Sequence, residues 1–132
     1  MFYGAFGCCV LVYDPYISAK ARAAWESTIP ATNLRWIDDL DAQGYPVADV
    51  ISLHVPLLPA TKDMIAMPQF ALMKPTTIIV NTARGGIINE SDLVDALDAG
   101  LIHGVGLDAM AVEPPTVDSN PRLVRHERCV VT

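Results

Sequence analysis

A chain of 132 residues, of which 52% are hydrophobic, is long enough for one domain with a modest core and too apolar for a disordered protein. The formal net charge is −6 and no basic run occurs, so the sequence predicts neither a nucleic-acid partner nor binding to an anionic membrane surface. The cysteines, Cys8, Cys9 and Cys129, have neither the spacing of zinc ligands nor the even distribution of a disulfide framework. We therefore expect a reduced, cytoplasmic protein without a metal site.

The apolar N-terminal stretch is interpreted as a strand and not as a signal peptide. MFYGAFGCCVLVY, at 1–13, has no basic segment before it and no small-residue cleavage site. The run CCVLVYD, at 8–14, is continuous and partly β-branched, which predicts a strand buried on both faces. SAKARAAWES, at 18–27, is rich in helix formers, and NLRWI, at 33–37, fits a short strand.

Continuous apolar runs predict the later strands. They lie at 49–55, 76–81, 102–108 and 129–132. Pro56 blocks the continuation of the strand before it, and Pro68 interrupts a helical pattern at 61–74.

The clearest predicted helix follows the strand at 76–81. Asn89, with Asp92 three residues later, resembles a capping box in which aspartate replaces the usual glutamate. Gly100 suits the position after the last turn. The apolar face consists of Leu93, Val94 and Leu97. Because strands and helices alternate along the chain, the sequence predicts an α/β fold with a doubly wound parallel sheet.

Residues with chemical potential follow the predicted strands. The carboxyl ends of strands in a doubly wound sheet converge on one edge, where ligands bind. The residues at these ends, or in the loops that follow them, are Asp14, Pro56, Thr82, Ala83, Arg84, Asp108 and Glu113. The sequence therefore predicts a binding site at this edge.

Three of these residues have both a functional and a structural interpretation. Arg84 is either a surface charge or a guanidinium that holds a carboxylate through two parallel hydrogen bonds, beside glycines that let a ligand approach the backbone. Asp14 precedes a proline and is either a turn starter or the acceptor for both ribose hydroxyls of an adenosine, which would favour NAD over NADP. Lys20 and Arg22 nearby leave that cofactor preference open. Glu113 is a loop carboxylate that gains importance only if a histidine lies near it.

None of the three histidines has the placement expected of a proton donor. His54 ends a strand at the same edge and is either structural or part of the site. His103 opens a strand at the opposite edge and is interpreted as structural. His126 stands among charged residues and is interpreted as a surface residue.

Several stretches together resemble the cofactor domain of the D-isomer-specific 2-hydroxyacid dehydrogenases, a family that includes phosphoglycerate, glycerate and formate dehydrogenases. The matching stretches are VLVYDPY at 10–16, ADVISLHVPLLPATKDMI at 48–65, LMKPTTIIVNTARGGIINESDLVDAL at 72–97 and GVGLDAMAVEPP at 104–115. The resemblance implies an NAD-dependent oxidoreductase that transfers a hydride between NAD(H) and a small 2-hydroxy or 2-keto acid. It also implies a homodimer.

The resemblance implies a role for each position in turn. Arg84 matches the catalytic arginine that binds the substrate, and Glu113 matches the acid that pairs with the catalytic histidine. Asp14 matches the adenosine-ribose aspartate, and Asp108 matches the aspartate that contacts the nicotinamide carboxamide. The cofactor-lining turns correspond to Val55, Pro56, Thr82 and Ala83.

The chain departs from the family at both ends. The glycine-rich G-x-G-x-x-G turn belongs about 20 residues before Asp14, where this chain has only 13 residues, and GAFG at 4–7 has the wrong spacing. The catalytic histidine belongs after the strand at 129–132. We therefore expect residues 1–132 to form an incomplete Rossmann-type dinucleotide-binding domain that lacks its first strand, its glycine-rich turn and a substrate domain.

The missing parts leave the activity of the chain itself open. The first strand lies in the middle of the usual strand order, and the backbone amides of the glycine-rich turn hold the pyrophosphate. We expect weak or no dinucleotide binding and no turnover by the chain alone. The alternatives are a non-catalytic binding module, like the corepressors related to this family, or a remnant without function.

Overall fold

A computed structural model describes residues 7–113, 116 and 120–132. The chain divides into two compact units, which we call the N-terminal unit, Met1–Gly44, and the C-terminal unit, Tyr45–Thr132.

The N-terminal unit is a small β–α–β arrangement with one further short helix. Strands β1, Val10–Val12, and β2, Leu34–Trp36, pair in parallel. Helix α1, Ala19–Thr28, connects them, and the Oγ of Ser18 accepts a hydrogen bond from the amide of Ala21 at its N-cap (3.2 Å). Helix α2, Leu40–Gln43, follows and was not predicted. Strand β1 is shorter than the strand predicted at 8–14.

Side-chain packing in the N-terminal unit is sparse. All three residues of β1 are half-buried, so the prediction of a strand buried on both faces was wrong. Helix α1 has no buried residue. Ile29 and Ile37 are the buried aliphatic side chains of the N-terminal unit among the described residues. Aromatic contacts add to them: the rings of Trp25 and Trp36 meet edge to face with centroids 6.2 Å apart, and the Arg22 guanidinium lies 4.7 Å from the Trp36 ring centroid. Two paired strands alone bury too little apolar surface for a larger core.

The C-terminal unit is a four-stranded parallel sheet with the order β3-β4-β5-β6. The strands are β3, Val50–Leu53; β4, Ile78–Asn81; β5, Gly104–Leu107; and β6, Cys129–Val131. The helices are α3, Met67–Phe70; α4, Glu90–Asp98; and α5, Pro121–Val124. Parallel neighbours joined by helical crossovers confirm the predicted α/β architecture.

The two faces of this sheet differ in burial. Successive residues of a strand point to opposite faces, and the strand register places Leu53, Asn81 and Leu107 in one row. All three are buried, as are Phe70, Leu93, Leu97 and Leu123 of the helices. On the other face, Val50 is 60% exposed and Val130 is 64% exposed.

The structure changes several details of the predicted elements. Pro68 occupies the first turn of α3, where its missing N–H is harmless, so it begins the helix and does not interrupt one. Asn89 caps α4 as predicted, accepting from the amide of Asp92 (3.0 Å). The capping box is not reciprocal, because the Asp92 carboxylate instead accepts from the amide of Met67 (2.8 Å). Gly100, at φ +70°, ends the helix as predicted.

Candidate functional site

The carboxyl ends of β3 and β4 form an open cleft with a volume of about 690 Å³. Its lining consists of His54, Val55, Pro56, Leu57, Thr82, Ala83 and Arg84. Since β3 and β4 are adjacent and parallel, the loops that follow them leave the sheet side by side. The structure thereby brings together five of the predicted site residues, and Leu57 is a lining residue that the sequence did not reveal.

A buried asparagine fixes the turn that carries Arg84. Asn81 is 1% exposed and ends β4. Its side-chain amide donates to the carbonyl of Arg84 (2.9 Å), and its Oδ1 accepts from the amide of Ala83 (3.1 Å). One side chain therefore satisfies two backbone groups of the turn and sets its conformation.

The Arg84 side chain is exposed at the cleft. Its Nη1 donates to the carbonyl of Ala83 (2.7 Å), the guanidinium's single hydrogen bond within the described residues. A guanidinium has five N–H donors in a planar fork. The remaining donors suit a planar anion such as a carboxylate.

The first of the two glycines after Arg84 brings this turn against the loop that follows β5. A side chain at Gly85 would overlap the backbone carbonyl of Met110, and Gly86 has φ +80°. Such a close approach of two backbones is possible only at glycine. The loops after β4 and β5 are therefore packed together.

Asp108 and Glu113 lie in the loop after β5, outside the cleft lining. The Asp108 Oδ1 accepts from the Thr132 hydroxyl (3.0 Å), and its amide donates to the Asn81 carbonyl (2.9 Å). Glu113 is exposed. Residues 114 and 115, the prolines of the predicted motif, lie outside the described residues.

Asp14 lies in the N-terminal unit, just after β1, and is exposed. Its Oδ1 accepts from the amide of Tyr16 (2.9 Å). This is the bond of an aspartate that starts a turn, so the turn interpretation of Asp14 holds, and its predicted ribose contact stays a prediction. Of the GAFG stretch at 4–7, only Gly7 belongs to the described residues.

The histidines differ in their surroundings. The Nε2 of His54, in the cleft, lies 2.8 Å from the Ser52 hydroxyl. The side chain of His126 is only 11% exposed, so the prediction of a surface residue was wrong. Its Nδ1 accepts from the amide of Arg128 (3.1 Å), and its Nε2 lies 3.3 Å from Asp98 Oδ1. These two contacts give His126 a structural role.

In the part of the chain that the structure describes, three groups outside the cleft have shifted pKa values. The hydrogen bond from Arg122 lowers the pKa of Asp98, and the pKa of Arg122 is raised in return. Burial, and secondarily the charge of Glu90, raise the pKa of Cys129 to about 11. Within the described residues, no group of three His, Cys, Asp or Glu side chains could hold a metal ion, and no helix has the length and apolarity needed to cross a membrane.

Comparison with known proteins decides the family. Residues 2–132 match the family model described as "D-isomer specific 2-hydroxyacid dehydrogenase, NAD binding domain". The chain belongs to this family. It is therefore an NAD-binding domain of the dehydrogenase type, which confirms the resemblance, the fold class and the cofactor predicted from the sequence.

Curated relatives and solved structures agree with the family assignment. D-3-phosphoglycerate dehydrogenase 2, chloroplastic, of Arabidopsis thaliana is 42% identical over 127 residues, which is 96% of this chain and 18% of that protein. Hydroxypyruvate reductase of Thermotoga maritima is 38% identical over 97% of this chain and 38% of that protein. The NAD-complexed D-isomer specific 2-hydroxyacid dehydrogenase of Lactobacillus delbrueckii ssp. bulgaricus superposes with a TM-score of 0.78 at 28% identity, covering 99% of this chain and 40% of that one. The chain thus spans well under half the length of each.

Proposed function

We propose that the cleft after β3 and β4 receives the nicotinamide end of NAD(H) together with the carboxylate of a 2-hydroxy or 2-keto acid. The chain would then be the cofactor-binding portion of an oxidoreductase that transfers a hydride between the two. The observation that carries the proposal is the exposed guanidinium of Arg84 at an open cleft, on a turn whose backbone is fixed by the buried side chain of Asn81.

The groups around the cleft fit a nicotinamide nucleotide. Val55, Pro56 and the backbone of Ala83 offer apolar and backbone surface for a ribose and ring, and Thr82 adds a hydroxyl. The proposed role of Asp108 is a contact with the carboxamide; its Oδ1 is already occupied by the Thr132 hydroxyl, which leaves Oδ2 for that contact. Asp14 is proposed to accept the hydroxyls of the adenosine ribose.

The chemistry divides between the cofactor and the side chains. The bound cofactor supplies a hydride to the carbonyl carbon, or accepts one in the oxidation direction. Arg84 holds the substrate carboxylate and polarises the carbonyl, so that negative charge developing on its oxygen is stabilised. A proton must then reach that oxygen. The resemblance assigns this proton to the family's catalytic histidine, which belongs after the strand at 129–132. Glu113 is proposed to orient that histidine and to stabilise its protonated imidazole.

The 132 residues span at most two-fifths of the length of the Arabidopsis, Thermotoga and Lactobacillus relatives. We propose that they form an incomplete domain, which by itself binds dinucleotide weakly and does not catalyse turnover. We also propose a cytoplasmic location and a homodimer. Several 2-hydroxy acids share the carboxylate and carbonyl that Arg84 would hold.

Backbone NMR of the ¹⁵N-labelled chain tests the site. NADH is titrated first, followed by pyruvate as a simple 2-keto acid. We expect shifts of the Thr82, Ala83 and Arg84 amides with NADH, and a further change with pyruvate. Arg84→Lys keeps the charge but loses the fork, so pyruvate should bind about tenfold more weakly. Arg125→Lys, on the exposed surface, is the matched control. Unchanged pyruvate shifts in the Arg84 variant would refute the role of this residue.

A further inference from the structure

Glu90 makes two hydrogen bonds far from its own helix. It is the first residue of α4, and its Oε1 accepts from the backbone amide of Ala111 (2.6 Å). Its Oε2 accepts from the side-chain amide of Asn120 (3.0 Å). These two partners stand on either side of Glu113 in the chain, so a single carboxylate bonds the chain both before and after Glu113.

The amide group of Asn120 is oriented by both of its partners. Asn120 is the N-cap of α5, and its Oδ1 accepts from the amide of Leu123 (3.3 Å). The Nδ2 group must therefore face the Glu90 carboxylate. Because a carboxylate only accepts, Glu90 matches two donors that arrive from separate points of the chain.

The turn that carries Arg84 also contacts Met110, the residue just before Ala111. The backbone of Met110 packs against Gly85, and the Met110 side chain is buried. Gly85 follows Arg84 directly and Glu90 lies five residues further on. The segment between β4 and α4 thus contains Arg84 and, through Gly85, also packs against the loop that bears Glu113.

We propose that Glu90 is a positioning residue, whose carboxylate sets the place of Glu113 by tying Ala111 and Asn120, which flank Glu113 in the chain, to the start of α4. The catalytic meaning of this placement rests on the proposed function of Glu113, whereas the anchoring itself does not. Only a side chain with two acceptor oxygens and the length of glutamate meets both donors. Aspartate is one methylene shorter, and glutamine replaces one acceptor with a donor.

A second explanation predicts a different response to substitution. A carboxylate in the first turn of a helix also stabilises the helix through its dipole. Glu90→Asp retains that interaction but withdraws the oxygens from Ala111 and Asn120. Glu90→Gln removes the charge and sets an amide donor against the amide of Asn120. If Glu90 only stabilises the helix, the aspartate variant behaves like the unmodified chain.

Amide hydrogen exchange of the ¹⁵N-labelled 132-residue chain tests the anchoring. We expect Glu90→Asp and Glu90→Gln to speed exchange of the Ala111 amide about tenfold. The amide of Val105, which donates to Arg128 O in the C-terminal unit, should keep its exchange rate. A general loss of stability would instead speed exchange of the Ala111 and Val105 amides alike. An unchanged Ala111 rate in both variants, or equal acceleration at Val105, would overturn the proposal.

A reciprocal pair of substitutions gives a rescue test. Asn120→Asp keeps the cap on Leu123 but places two carboxylates together, and should also speed exchange at Ala111. In the double variant Glu90→Gln with Asn120→Asp, the glutamine amide can donate to the new carboxylate while its oxygen accepts from Ala111. The Ala111 rate should return to within about threefold of the unmodified chain. A double variant that exchanges as fast as the product of the two single effects contradicts the anchoring.

The two proposals fail separately. Exchange at Ala111 is measured without ligand, so it decides the anchoring alone. The NADH and pyruvate titrations of the unmodified chain and of Arg84→Lys decide the function of the cleft. In Glu90→Asp, the pyruvate response of the Arg84 amide should persist, because the Asn81 bonds that fix Arg84 are untouched.

Discussion

Replacing Asn81 with alanine should lower the free energy of unfolding of the C-terminal unit by about 3 kcal/mol. Each of its two side-chain hydrogen bonds, to Arg84 O and from Ala83 N, contributes roughly 1 kcal/mol net. A further kilocalorie or so comes from the space left by the buried amide of Asn81 and from the two backbone groups that lose their partner. The loss should be accompanied by weaker definition of the Arg84 turn.

Hydrogen exchange is the appropriate assay for this change. Trp25 and Trp36, the two tryptophans of the chain, both lie in the N-terminal unit, so fluorescence would report on the wrong part of the molecule. The slowest sheet amides, such as that of Val105, should exchange roughly a hundredfold faster in Asn81→Ala, since a factor of ten corresponds to about 1.4 kcal/mol.

The matched control is Asn33→Ala in the N-terminal unit. The Asn33 side chain also makes two hydrogen bonds: it donates to the Cys8 carbonyl (3.3 Å) and accepts from the Thr32 hydroxyl (2.9 Å). Both partners lie in the N-terminal unit, so the loss of these bonds should leave the Val105 rate unchanged. If Asn81→Ala changes that rate by less than about twofold, the two bonds do not stabilise the unit, and the reasoning from burial is refuted.

Two predictions concern the ionisable groups outside the cleft. With a pKa of about 11, Cys129 should be alkylated by iodoacetamide far more slowly than the exposed Cys8 and Cys9, as read from the masses of the labelled peptides, and Glu90→Gln should speed the reaction; equal labelling of all three would contradict the raised pKa. The folded state lowers the pKa of Asp98 through Arg122, so this carboxylate contributes stability above its unfolded pKa and loses that contribution as pH falls through the folded value. Asp98→Asn should therefore lower the melting temperature slightly at about pH 7, less so in high salt, and not at all in strong acid; a difference that persists in strong acid would refute the assignment.

The sequence was most informative where a single physical signal dominated. Continuous apolar runs located β4, β5 and β6, because parallel strands are buried on at least one face. The predicted ends were too wide, since strand pairing stops before the apolar run does: the run at 49–55 becomes Val50–Leu53. Helix α5 was missed because its capping residue, Asn120, lies inside a proline-rich stretch that resembles a loop.

The same distinction holds for the candidate site, of which one part could be predicted from the sequence and another could not. The cleft residues after β3 and β4 could be predicted because strand order alone brings their loops together. The bridge made by Glu90 could not, since its partners lie 21 and 30 residues away and only the folded chain places them. His126 was misjudged for the same reason, because its neighbours in sequence are charged while its surroundings in space are packed.

The adjacent glycines after Arg84 would accept different replacements in a randomised library. Gly86 is restricted by its torsion angle, and a Cβ there would lie 3.5 Å from the Leu57 side chain, so asparagine or aspartate would be tolerated best. Gly85 is restricted by the volume of the Met110 backbone, which excludes every side chain equally. At Gly106 an added Cβ would have no heavy atom within 4 Å, so this position would accept alanine or serine. Selection for folding alone would therefore leave a glycine invariant at 85, a short polar set at 86 and free variation among small residues at 106.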